Sequence, residues 1–152
     1  MIKVINNFLD EKEIQNFLSL YDEKKVQVVN DTIYKFNLID LLDSKFNNVN
    51  NKFKNFNFHR FRIQMVNENI TQIKEPHIDG SVCSFTLFLN DNYKGGELVF
   101  KDKVINPRKG TMVYFLGNLP HSVNDCVGDR FTLVGFLNNN PLNLEIKKNN
   151  LM

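Results

Sequence analysis

A chain of 152 residues is long enough to bury one real core and too short for a second full-size domain, so residues 1–152 are read as a single domain. Apolar residues at 42% against 24% charged match an ordinary globular protein and exclude a disordered or collagen-like one. A net charge of +2 with scattered lysines leaves no electrostatic footprint for a polyanion, so no nucleic-acid partner is expected.

The first residues lack the apolar run of a signal peptide, and no stretch approaches the roughly eighteen apolar residues of a membrane helix. No membrane partner and a cytoplasmic location are expected. Cys83 and Cys126 are read as reduced thiols without a role, because they show no metal-type spacing. Asn30-Asp31-Thr32 and Asn69-Ile70-Thr71 match the glycosylation pattern by chance in an Asn-rich chain. Nothing in the composition sets an oligomeric state.

In chain order, Asp10-Glu11-Lys12-Glu13 predicts a capped helix start, with Asp10 accepting from the third helical N–H and Glu13 reaching back. Ile14, Phe17, Leu18 and Tyr21 then fall on one helical face, to be packed against a sheet. Leu38, Leu41, Leu42 and Phe46 predict a second helix that ends in the polar run Asn47-Asn48-Val49-Asn50-Asn51, an exposed turn. From about Phe56 the chain changes to short strand-like segments, at 58–66, 84–89, 97–100, 111–116 and 130–137. Turn signals separate them at Glu75-Pro76, Lys94-Gly95-Gly96, residues 106–110 and Gly128-Asp129. Helices first and many short strands afterwards predict a mainly β sandwich or jelly roll with flanking N-terminal helices.

The chemistry-bearing pattern is Pro76-His77-Ile78-Asp79-Gly80, followed by His121 in Leu119-Pro120-His121-Ser122-Val123 and by Arg130. On an extended segment His77 and Asp79 point the same way and Ile78 points oppositely. His121 has to arrive from a distant strand. Two imidazoles and one carboxylate form the facial ligand set of non-haem Fe(II), which leaves positions open for other reactants. Zinc accepts the same donors, but zinc does not account for Arg130. Alone, a His-x-Asp pair is more often ordinary polar surface, and a surface ion pair after the Gly-Asp turn is the minor alternative for Arg130.

Further stretches add to the pattern: Val4-Ile5-Asn6-Asn7-Phe8-Leu9-Asp10, Phe88-Leu89-Asn90-Asp91, and Gly95-Gly96-Glu97-Leu98-Val99-Phe100. Pro107-Arg108-Lys109-Gly110-Thr111, Phe115, His121-Ser122-Val123 and Gly128-Asp129-Arg130-Phe131-Thr132-Leu133 follow in order. With these motifs the chain, from Val4 to Leu137, resembles the Fe(II)- and 2-oxoglutarate-dependent dioxygenases of the prolyl 4-hydroxylase-like branch. The resemblance implies a double-stranded β-helix, with His77, Asp79 and His121 as iron ligands and Arg130 on the distal carboxylate of 2-oxoglutarate. A buried carboxylate suits a planar, permanently charged, two-pronged donor. Leu98, Val123 and Phe136 match positions that wall the co-substrate pocket, although each is also an ordinary core residue type.

Two departures stand out. Many relatives carry a co-substrate-binding Tyr where this chain has Phe88; Thr132 or Thr86 is the candidate to supply the hydroxyl. The 65–74 segment lacks the Tyr and Gly pattern common before the His-x-Asp.

The implied activity is a hydroxylase that consumes Fe(II)-bound 2-oxoglutarate and O₂, and related halogenases lack the carboxylate that Asp79 supplies here. A prolyl residue in a peptide or protein is the first substrate expectation, with a free amino acid or other small molecule second. Demethylases of nucleic acid typically carry another Arg six residues after the first, where this chain has Phe136. Arg60 and Arg62 are candidates for steering an acidic or peptide substrate. A binding module that keeps the jelly roll without turnover, and a zinc hydrolase, are the rival classes.

Overall fold

A computed structural model describes residues 2–22, 27–28, 33–35, 43–58, 61–67 and 75–139. Strand β1 (Ile2–Ile5) leads through a turn into helix α1 (Glu11–Asp22). The predicted capping box is present: Glu13 N donates to Asp10 Oδ1 at 2.8 Å and Asp10 N donates to Glu13 Oε1 at 3.0 Å. Glu13 also pairs with Lys52, whose ammonium donates to Phe8 O at 2.8 Å. One capping carboxylate thus ties the start of α1 to a second helix, α2 (Asn47–Asn55).

That second helix corrects the sequence expectation. The polar run at residues 47–51, expected to be an exposed turn, is helical, and a 3₁₀ turn at Ser44–Phe46 precedes it. Phe46, Val49 and Phe53 recur at helical spacing and are all buried, so burial of this stripe outweighs the poor helix propensity of the asparagines between them. Leu38, Leu41 and Leu42, on which the expected helix rested, lie outside the described residues, as does the 68–74 part of the divergent loop.

Two short strands, β2 (Gln27–Val28) and β3 (Ile33–Lys35), precede β4 (Phe61–Asn67) and β5 (Cys83–Phe88). The rest of the chain is β6 (Lys94–Gly95), β7 (Leu98–Phe100), β8 (Lys103–Ile105), β9 (Met112–Leu116), β10 (His121–Val123), β11 (Cys126–Val127) and β12 (Phe131–Leu137). All five predicted strand segments are present; the strands missed beside them have two to four residues, too few to show a period by themselves. Lys94-Gly95, expected as a turn, pairs with Cys126–Val127 instead.

The strands form an antiparallel jelly roll. Its larger sheet runs β1-β9-β5-β12-β4-β3-β2 and its smaller one β10-β7-β8, with β11-β6 as a separate pair. Register decides which side chains share a face. Tyr114, Phe85, Gly135 and Ile63 form one cross-strand row, and Met112, Leu87, Leu133 and Met65 the next. Both rows face the helices and join Phe17, Phe46, Val49 and Phe53 in the main core. Gly135 is required there, since a Cβ would lie 2.0 Å from the Phe85 ring. Phe85 uses that space to stack on Phe58, with centroids 5.5 Å apart.

The alternate residues face the smaller sheet. Val113, Thr86, Val134 and Gln64 form one inner row, with Phe115, Ser84 and Phe136 in the next and Phe88, Thr132 and Val66 in a third. Phe88, Val113 and Phe115 meet Leu98, Phe100 and Ile105 of the smaller sheet in a second apolar cluster. The space between the two sheets is where the candidate residues gather.

Candidate metal centre

His77 and His121 face each other across an isolated antiparallel bridge, each N–H donating to the other's carbonyl at 2.9 Å. Residues so paired project their side chains to the same side. The ring centroids are 4.4 Å apart. Asp79 is placed by its own N–H, which donates to Gly117 O at 2.8 Å, and the adjoining turn needs glycine because a Gly117 Cβ would lie 2.0 Å from Ser81 O. Ile78, between the two ligand candidates, points outward and is 61% exposed.

The result is one cluster in which a nitrogen of each histidine and a carboxylate oxygen of Asp79 lie within 4.8 Å of one another. His77 Nε2 is 3.7 Å from Asp79 Oδ1, and His121 Nε2 is 3.5 Å from Asp79 Oδ2. A carbonyl only accepts, so the 2.8 Å contact of His121 Nδ1 with Leu119 O puts the proton on Nδ1 and leaves the Nε2 lone pair for a cation. The His77 Nδ1 is buried and has no hydrogen-bond partner. Ser84 Oγ donates to Asp79 Oδ2 at 2.7 Å, and Ser81 Oγ lies 2.7 Å from Ser84 Oγ. The single proton of Ser84 is committed to the carboxylate, so Ser81 is the donor in the second bond. This chain of hydroxyls orients Asp79.

The carboxylate and the imidazole shift each other's titration. Burial pushes the Asp79 carboxyl up, but the His121 contact, the Ser84 hydrogen bond and the two imidazoles outweigh it and hold the group below the ordinary carboxylate range. Burial pushes His121 down, while Asp79 and the Leu119 carbonyl outweigh it and raise the imidazole above its ordinary value. The donor set fits Fe(II), and as donor chemistry it also accepts zinc.

Arg130 ends up 1% exposed, far from the surface ion pair that its Gly-Asp turn would suggest in isolation. Its Nε donates to Gly96 O at 3.0 Å and its guanidinium carbon sits 5.5 Å from the centre of the Phe88 ring. Gly96 has φ +73°, and a Cβ there would lie 3.0 Å from Arg130 Cδ. Thr132 is fully buried directly beside Phe88, and its hydroxyl has no hydrogen-bond partner. A buried donor of that kind costs about 1–3 kcal/mol unless something satisfies it. Thr86, the other candidate, lies two residues from Phe88 on the same inner face.

Leu98 is buried and Val123 half-buried in the cluster formed by Phe88, Phe100 and Phe115. Phe115 packs edge-on to His121 with centroids 4.7 Å apart, so one apolar cluster spans from the histidines to the arginine. Phe136 lies opposite Ser84 on the same inner face. Arg60 and the side chain of Arg62 fall outside the described residues. Sequence reasoning missed Ser81, Ser84 and Gly96 as supports of the site. Ser84 had a readable signal, since Ser84, Thr86 and Phe88 alternate along one face of β5.

The comparisons with known proteins fit this geometry. The family model of the 2OG-Fe(II) oxygenase superfamily matches residues 56–138, over half the chain. No curated sequence matches. Among solved structures, the chain is similar to a viral collagen prolyl hydroxylase from Paramecium bursaria chlorella virus-1 in complex with 2OG (TM-score 0.63, 15% identity, covering 89% of this chain and 93% of that one). It is similar to a Pseudomonas putida prolyl-4-hydroxylase (TM-score 0.63, 16% identity, 90% and 91% covered). A Trichoplax adhaerens prolyl hydroxylase in complex with a hypoxia inducible factor peptide fragment gives TM-score 0.61 at 19% identity, with 90% and 82% covered. Likeness at such identities establishes the fold, a jelly roll. No helix among the described residues is long and apolar enough to cross a membrane.

Proposed function

The chain belongs to the 2OG-Fe(II) oxygenase superfamily, and on that premise we propose that it hydroxylates an aliphatic carbon, with a prolyl residue of a peptide or protein as its substrate class. The observation that carries this reading is the convergence of His77, Asp79 and His121 within 4.8 Å. In this reading those three residues hold Fe(II), and Arg130 pairs with the distal carboxylate of 2-oxoglutarate. The unpartnered Thr132 hydroxyl supplies the bond that Phe88 cannot make. Bound Fe(II), 2-oxoglutarate and O₂ together supply the oxidising chemistry: a C–H bond becomes C–OH while the 2-oxo acid leaves as succinate and CO₂.

The chain's own residues orient and insulate. Ser84 holds the Asp79 carboxylate and the Leu119 carbonyl holds the His121 tautomer. Phe88, Leu98, Val123 and Phe136 wall the co-substrate and keep water from it, which strengthens the Arg130–carboxylate pair. The prolyl assignment draws support from the three prolyl hydroxylases that share the fold, one of which binds a peptide.

The test is a library of proline-containing peptides incubated with Fe(II), 2-oxoglutarate and O₂, with a gain of one oxygen and succinate formation read in parallel. Coupled formation of both is expected. Succinate coupled to oxidation of a free amino acid in place of peptides would move the substrate to a small molecule. No 2-oxoglutarate turnover by folded, iron-loaded protein would favour a binding module that has lost catalysis.

A further inference from the structure

We infer that Asn90 is a positioning residue for Arg130: its side-chain amide grips the backbone on both sides of the arginine. The inference rests on the proposed role of Arg130 in holding the distal carboxylate of 2-oxoglutarate.

Main-chain pairing between β5 and β12 runs one step past the end of β5, where Leu89 N donates to Phe131 O at 2.9 Å. There the Asn90 side chain takes over. Its Oδ1 accepts from Phe131 N at 2.8 Å, and its Nδ2 donates to Asp129 O at 2.8 Å. The amide orientation is fixed, because an N–H can only donate and a carbonyl can only accept. The other Nδ2 proton goes to Asn92 Oδ1 at 2.9 Å, which holds the amide plane. One rigid group therefore sets the backbone at residues 129 and 131, and the Cα of Arg130 lies between them.

This control matters because Arg130 enters β12 from a turn, one residue before the β12–β4 ladder begins at Phe131. Gly128, two residues earlier, has φ +108° and no side chain to pack, and Asp129 is exposed. Beyond Asn90, Asp129 Oδ1 receives Asn67 Nδ2 at a longer 3.3 Å. The arginine's own target is narrow: Nε must reach Gly96 O while the guanidinium stays over Phe88. A small rotation of the Arg130 Cα–Cβ bond, multiplied along the side chain, moves the fork away from any carboxylate it is to hold.

The chemistry of the amide is also specific. In Asn90→Asp the acceptor for Phe131 N survives, but a carboxylate oxygen replaces Nδ2 and faces the Asp129 carbonyl. That variant keeps half of the grip and adds repulsion. Asn90→Ala removes both bonds.

The experiment compares two 2-oxo acids of equal length, 2-oxoglutarate and 2-oxopentanoate, which has a methyl group in place of the distal carboxylate. Binding is measured anaerobically by the visible charge-transfer band of the Fe(II)-loaded protein, or by competition for it. Asn90→Ala is expected to weaken 2-oxoglutarate roughly tenfold, while 2-oxopentanoate and Fe(II) affinities stay within about twofold. Added to Arg130→Ala, it should cause no further loss of 2-oxoglutarate affinity, since the distal grip is already gone. If Asn90→Ala does not fold, Asn90→Asp, which retains the bond to Phe131, carries the same comparison. An unchanged ratio of the two ligands in the Asn90 variants, with Arg130→Ala collapsing that ratio, would overturn the inference and leave the Arg130 reading standing. A ratio unchanged in Arg130→Ala would overturn both.

Discussion

The two faces of the larger sheet are built from alternate residues of the same strands and are put to opposite uses. On the face toward the helices, Met65, Phe85, Leu87, Met112, Tyr114 and Leu133 are all 0% exposed, in an interior dominated by aromatic rings. On the face toward the smaller sheet, Ser84, Thr86 and Thr132 are buried among the apolar residues, with Arg130 just before β12 and His121 of the smaller sheet beside them. Burying polar groups costs free energy unless each is satisfied, and Thr132 Oγ1 and His77 Nδ1 are buried without a protein partner. A face selected for stability alone would have been filled with carbon. The difference is what the proposed function requires of the inner face, whose remaining hydrogen bonds would then be made to a ligand.

The sharpest way to break this comparison is to remove one group from each face. Asp79→Ala, which removes the carboxylate that Ser84 of the inner face holds, should abolish succinate formation in a protein that still folds; turnover surviving in that variant would remove the inner face from the chemistry. On the outer face, Phe85→Ala should cost about 3–5 kcal/mol in chemical denaturation, with Fe(II) affinity of the folded fraction unchanged. A loss below about 1 kcal/mol would mean that the outer face is not the packed one.

A smaller effect concerns pH. The Asp79 carboxyl is held low, so its contribution to the metal-free fold is present above the unfolded value near 4 and is lost as pH falls through the folded one. His121 is held high, so its contribution is complete below about pH 6.5 and is lost as pH rises through its raised folded value. Both terms act together between about pH 4 and 6.5. The Tm advantage of metal-free wild type over His121→Ala should therefore shrink from about pH 6 to 8. Metal affinity should rise over the same range, because the imidazole must release its proton to bind. The smallest effect separates burial from use: Thr132→Val should leave stability unchanged or raise it by about 1 kcal/mol, yet raise the 2-oxoglutarate KM several-fold. A stability loss with no change in KM would assign the hydroxyl to the fold instead.

How much of this was legible follows from the range of each interaction. The α1 capping box, the five predicted strands and the outward direction of Ile78 depend on neighbours within a few residues, and the sequence shows them. The helix at Asn47–Asn55 was misread because its asparagines speak locally for a turn, while Val49 and Phe53 speak through a core assembled by distant strands. Asn90 stood only as one residue in a matching stretch, since its partners, Asp129 and Phe131, are about forty residues away.

By itself the sequence determined the chemistry on offer: two imidazoles and a carboxylate in a pattern with a downstream arginine, on a chain of helices followed by short strands. Those are matters of residue type and order, which are written in one dimension. Only the tertiary structure decided that His77 and His121 form a hydrogen-bonded pair, that Ser84 holds Asp79, and that Arg130 lies buried over Phe88 beside an unpartnered Thr132 hydroxyl. The physical reason is register. Antiparallel pairing chooses which residues far apart in the chain stand opposite each other, and a shift of one residue would have turned every one of these side chains to the other face.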